Sequence, residues 1–191
     1  CVPAGHKPVK YTITDLKTGV EESGVIESPE NGYAHLSTAR KYYIPWRVEI
    51  ESDGKSFNHT MNLSGQSVII DLRSALGDSI AWMRSVELFT EKHQCKTTVI
   101  QKSAYIDLFK KTHPEYNFIP REEWDQMEVP QNCYARYICC TDCMGEGRRI
   151  WQPQDYRMIS VQECGDYVLD VKSNKTAPKI DVPNEISRDE K

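Results

Sequence analysis

The sequence predicts an α/β protein in which an N-terminal antiparallel β-hairpin domain precedes a doubly wound domain with a mostly parallel sheet. Three observations predict it. Apolar and polar residues alternate with period two, between turn signals, through residues 9–66. At residue 67 the pattern changes to a short apolar run followed by an amphipathic helix. Strand-like and helix-like stretches then alternate as far as residue 171, which calls for parallel strands joined by crossovers.

Taken in order, Tyr11, Ile13 and Val20 flank a turn at Asp15-Leu16-Lys17-Thr18-Gly19. Asn31-Gly32 is a turn signal between two further candidate strands. The clearest hairpin joins Trp46-Arg47-Val48-Glu49-Ile50-Glu51 to the stretch from Ser56 to Leu63 through Ser52-Asp53-Gly54-Lys55. Its alternation suits a half-buried antiparallel pair. Ser67-Val68-Ile69-Ile70-Asp71-Leu72 reads as a strand covered on both faces. A helix is expected from Ser79 to His93, because Ile80, Met83, Val86 and Phe89 recur every three residues. Thr97 to Ile100 is a second strand and Ser103 to Thr112 a second helix, which His113-Pro114 ends. Tyr116 to Ile119 and Tyr134 to Cys139 are further strands. A last helix covers Val161 to Val171, with a bend expected at Gly165. The domains are thus 1–66, all β, and 67–183, α/β, with 184–191 as a polar linker or cut end.

Charge narrows the function. The 191 residues carry 24 Lys and Arg against 28 Asp and Glu, a formal net charge of -4. Nonspecific binding along a nucleic-acid backbone needs a cationic field, so that class is excluded as a default. No apolar run reaches the ~20 residues that cross a bilayer. The chain opens Cys1-Val2-Pro3, which reads as a processed chain or a fragment whose start lies upstream. Seven cysteines, an odd number, fit a reducing cytoplasmic setting better than a secreted disulfide scaffold.

Two groups of residues carry candidate chemistry. In open α/β sheets ligands bind beyond the carboxyl ends of the strands, where Leu76-Gly77-Asp78 falls. Gly77 permits close approach, Asp78 places a carboxylate at the mouth, and Arg73 and Ser74 line it. Equally, Asp78 could only cap the helix that follows. The loop has neither the GxGxxG nor the Walker A signature. The second group is Cys133, Cys140, Cys143 and Cys164, four thiols that could hold zinc or iron. Only one closely spaced pair of the required type is present, so buried or free thiols are the competing reading.

Several stretches resemble bacterial autotransporter heptosyltransferases, within the ADP-heptose-using GT-B-type glycosyltransferases. They are Tyr42-Tyr43-Ile44-Pro45-Trp46-Arg47-Val48-Glu49-Ile50, Ala75-Leu76-Gly77-Asp78-Ser79-Ile80-Ala81-Trp82-Met83, Val86-Glu87 with Lys92-His93-Gln94-Cys95-Lys96, Tyr134-Ala135-Arg136-Tyr137 and Asp155-Tyr156-Arg157-Met158-Ile159-Ser160-Val161-Gln162. The resemblance covers roughly residues 9–186. It implies that the α/β domain is the Rossmann-like acceptor-side domain and that a second domain, absent from this stretch, binds a nucleotide-sugar donor. It implies transfer of a sugar to a hydroxyl of a protein or glycan acceptor, with Asp78 of Leu-Gly-Asp as general base. The family's cysteine-bound iron belongs to the C-terminal domain, not to these cysteines. A homo-oligomer is a further expectation. The alternative is a noncatalytic structural or interaction module in a larger assembly, stabilised by metal on the cysteines.

Overall fold

The computed structural model describes residues 2–3, 7–27, 33–34, 42–127, 132–140 and 154–181. The expected turn at Asn31-Gly32 and the linker at 184–191 lie outside these residues. The chain divides into two compact units, 1–39 with 43–62, and 40–42 with 63–191.

The first unit is antiparallel. Strands β1 (Val2–Pro3) and β4 (Tyr33–Ala34) form a two-residue ladder. Strands β2 (Val9–Asp15), β3 (Glu21–Ile26), β5 (Trp46–Ser52) and β6 (Lys55–Thr60) form a four-stranded sheet in the order β3-β2-β5-β6. The β5–β6 hairpin turns as the sequence predicts: Asp53 and Gly54 both take positive φ, 54° and 70°, as a two-residue hairpin requires. In β3, Gly24 pairs with Tyr11, and a Cβ there would sit 2.9 Å from the Tyr11 hydroxyl. The tyrosine ring therefore covers the glycine. The expected half-burial holds for β2 and β5, where Val9 and Ile50 pack with Tyr11, Ile26 and Val48. It does not hold for β6, an edge strand whose Phe57 is 49% exposed.

The second unit is α/β with a parallel sheet. Strands β7 (Ser67–Arg73), β8 (Lys96–Gln101), β9 (Asn117–Pro120) and β10 (Ala135–Cys140) lie in the order β10-β7-β8-β9, every pair parallel. Helix α1 (Leu76–His93) joins β7 to β8, and α2 (Ser103–Lys110) joins β8 to β9. The chain then returns past α3 (Arg121–Trp124) to place β10 on the other side of β7. Strand order therefore reverses between β7 and β10. The carboxyl ends of these two strands mark the position at which doubly wound sheets bind ligands.

Burial explains the β7 sequence, since five consecutive residues from Val68 to Leu72 are buried. Trp82, Met83, Val86 and Phe89 of α1 are fully buried and form its inner face. Helix α4 (Val161–Leu169) packs on α1, and Trp82 Nε1 donates to the Val161 carbonyl at 2.7 Å. Gly165 is where the two helices approach. A Cβ there would lie 2.8 Å from the Trp82 ring, and α4 runs through this position without a break. The glycine expected to bend the helix instead lets it pack closely. Ser160 and Glu163 form a capping box at the start of α4.

Candidate functional site at the carboxyl edge of the parallel sheet

Helix α1 starts at Leu76, three residues earlier than its periodicity predicts. The N-cap is Ala75, which offers no side-chain bond to the helix. The capping role considered for Asp78 is thus not the one it takes. Asp78 sits in the first turn, one residue past Gly77, half-buried at the rim. Its Oδ2 accepts a hydrogen bond from the Ser74 hydroxyl. Beyond its chain neighbours and its own helix, nothing lies within 4 Å of where a Cβ on Gly77 would be, so space is open at that position. The structure therefore brings Ser74, Gly77 and Asp78 to one rim.

Asp78 also faces helix α4. Burial, and next the charge of Asp78, push the Cys164 thiol up to about 11. Cys139 of β10 is buried beside Cys164, and burial, then the neighbouring Cys164, raises its pKa as well. These thiols stay protonated at neutral pH and are poor nucleophiles.

Arg73 points elsewhere. Its Nε donates to Asp71 Oδ2 at 2.9 Å. Residues two apart in a strand share a face, so Asp71 and Arg73 lie with Ile69, which packs against Ile100, Ile119 and Trp124. Asp71 is fully buried and also accepts from Arg121 and, at 2.6 Å, from Arg136. This charged cluster was not anticipated. Its sequence signal is an aspartate in an otherwise apolar strand with an arginine two residues on.

The cysteine expectation is corrected by strand geometry. Consecutive residues of β10 face opposite sides of the sheet. Cys139 meets Cys164, whereas Cys140 packs with Ile138 on the other face and is disulfide-bonded. Cys133 joins the cluster of Ile69, Ile100, Ile119 and Trp124. Cys133, Cys140 and Cys164 do not converge, and Cys143 lies outside the described residues. Among the described residues no three His, Cys, Asp or Glu side chains are arranged to hold a metal. No described helix is long and apolar enough to cross a membrane.

The fold defines a class, a parallel α/β domain with an N-terminal antiparallel β unit, and known proteins share it. No protein-family model matches the chain. The chain is homologous to the autotransporter heptosyltransferase Aah of Escherichia coli, 28% identical over 170 residues, which is 86% of this chain and 42% of that protein. Its fold matches the bacterial iron-containing dodecameric glycosyltransferase TibC from enterotoxigenic E. coli H10407, with a TM-score of 0.78 and 19% identity, over 95% of this chain and 45% of TibC. TibC in complex with ADP-D-beta-D-heptose matches with a TM-score of 0.74, 18% identity, 94% of this chain and 45% of that one. The chain thus spans less than half the length of Aah and of TibC.

Proposed function

We propose that this chain is the acceptor-side part of a heptosyltransferase-like glycosyltransferase, moving a sugar from an ADP-heptose-like donor to a serine hydroxyl of a protein. A glycan hydroxyl is the second acceptor class. The observation that carries the reading is the Asp78 carboxylate at the rim, with Oδ2 held by Ser74 and open space beside Gly77. Ser74 fixes the orientation of the carboxylate. Oδ1 accepts the acceptor proton as the acceptor oxygen attacks the anomeric carbon. The bond from that carbon to the diphosphate breaks on the opposite side, and the configuration inverts.

Homology to Aah and the fold shared with TibC support this class of chemistry. The donor is held by a second domain of the same polypeptide, whose diphosphate departs as the new bond forms. Assembly as a homo-oligomer goes with the reading, supported by the dodecameric description of TibC. The test is Asp78→Asn in the complete protein. Transfer falls by at least ~10²-fold, the size of a lost general base, while melting temperature and donor affinity stay as in the wild type. Unchanged turnover removes Asp78 from this role.

A further inference from the structure

Three guanidinium groups converge on one buried carboxylate behind the candidate rim. Arg73 ends β7, Arg121 begins α3 just after β9, and Arg136 lies in β10, and all three bond Asp71. A single aspartate balances one of these charges. Asp125, 3.8 Å from Arg121 Nη1, and Glu122 are both exposed and offset the other two only weakly through solvent. Away from solvent, around Asp71, positive charge is therefore in excess. It is also strained electrostatically: burial first, and then the neighbouring arginines, hold the Arg121 and Arg136 guanidiniums below their ordinary pKa. Arg136 Nε is buried and lacks a hydrogen-bond partner among the described residues. Its guanidinium lies over the Trp124 ring, 5.1 Å from the centroid, which fixes the plane of the fork.

A purely structural ion pair would need one arginine, not three. We infer that Arg73, Arg121 and Arg136, preorganised on Asp71, form a binding site for a phosphoryl group. Asp71 holds the inner edges of the forks, leaving further N–H donors of Arg73 and Arg136, whose side chains are 38% and 32% exposed. Arg121, at 16%, supplies field rather than a contact. A phosphoryl group carries roughly −1.5 to −2 charges at neutral pH and three acceptor oxygens, which suits several guanidinium donors better than a second carboxylate does. The inference does not depend on the role of Asp78. The phosphoryl group has two possible sources, a nucleotide diphosphate or a phosphorylated sugar.

The experiment titrates the 191-residue protein with pyrophosphate, ADP and glucose 1-phosphate by calorimetry at low salt, alongside Arg73→Gln and Arg136→Lys. Pyrophosphate is expected to bind saturably, with affinity falling as salt rises, and each substitution is expected to weaken it about tenfold. Arg136→Lys keeps the charge and removes the fork, so it separates geometry from field. Arg73→Gln is the more exposed change and leaves Asp71 two guanidiniums, which keeps the test open should Arg136→Lys fail to fold. Tighter binding of ADP than of glucose 1-phosphate assigns the group to a nucleotide, and the reverse assigns it to a phosphorylated sugar. No saturable binding of any probe, or binding that survives both substitutions in folded protein, overturns the inference.

Discussion

Gly77 and Asp78 are neighbours in sequence, but different physics governs them. Gly77 has no positive φ, and a Cβ there would touch nothing, so alanine fits the backbone and the space. Alanine in a helix is favoured over glycine by up to about 1 kcal/mol. Gly77→Ala is therefore expected to raise the melting temperature and, if the acceptor occupies that space, to raise its KM. Scanning calorimetry and acceptor titration measure the two effects. An unchanged KM would mean that the acceptor approaches from another side. Much at this scale was legible: a carboxylate and a glycine at the carboxyl end of the first parallel strand follow from the strand-to-helix change at residue 67. Its position within the helix was not, because Ala75-Leu76-Gly77 carries no cap signal and the apolar repeat starts only at Ile80. The Asp71 cluster was hidden for a different reason. Its three arginines are spread across 64 positions of sequence, and only the order β10-β7-β8-β9 brings them together.

At the scale of elements, one acid helps to tie the segment after α4 to the helices. Glu87 of α1 accepts from Arg84 Nη1 at 2.6 Å and from the Lys179 backbone N–H at 2.8 Å, and its Oε1 is 2.8 Å from His113 Nε2. Thr112 Oγ1 donates to the Lys179 carbonyl, and the Asp181 N–H donates to the Leu108 carbonyl, so the segment after α4 is tied to both α1 and α2. Burial pushes Glu87 up, but bonds from His113, Arg84 and Lys179 outweigh it and leave its pKa below the ordinary 4.5. An acid with a lower pKa folded than unfolded adds stability above its unfolded value and loses it as pH falls through its folded value. Acidification below about 4.5 is therefore expected to weaken the fold through this residue. Glu87→Gln keeps the shape without the charge. It should start about 1–3 kcal/mol less stable at neutral pH and show a flatter acid limb in urea melts at stepped pH. Parallel curves for the two proteins would show that Glu87 does not carry this dependence. Apart from the i,i+3 pair with Arg84, none of this was readable in advance, since the other partners lie 26 and 92 positions away. Elements with a strong period were readable, including α1, α2 and the β5–β6 hairpin. The four-residue α3 and the two-residue β1–β4 ladder were missed because so few residues establish no period.

The molecule as a whole pairs an antiparallel β unit with a parallel α/β unit whose strand order reverses beside Asp78. The change of hydrophobic pattern at residue 67 foretold both sheets, because each sheet type imposes its own burial on the sequence: one face in the first, two in the second. It did not foretell which strand would return to which edge, since that depends on how long connections run. The reversal matters most for the proposed function, because the ends of β7 and β10 then share the edge at which doubly wound sheets bind ligands. The most direct test is a crystal structure of the complete protein with its acceptor and a nonreactive ADP-sugar. The account predicts the acceptor hydroxyl at hydrogen-bonding distance, about 2.6–3.2 Å, from Asp78 Oδ1, and the anomeric carbon beyond it in line with the departing diphosphate. An acceptor hydroxyl seated against any other side chain, with Asp78 facing only Ser74, would contradict it.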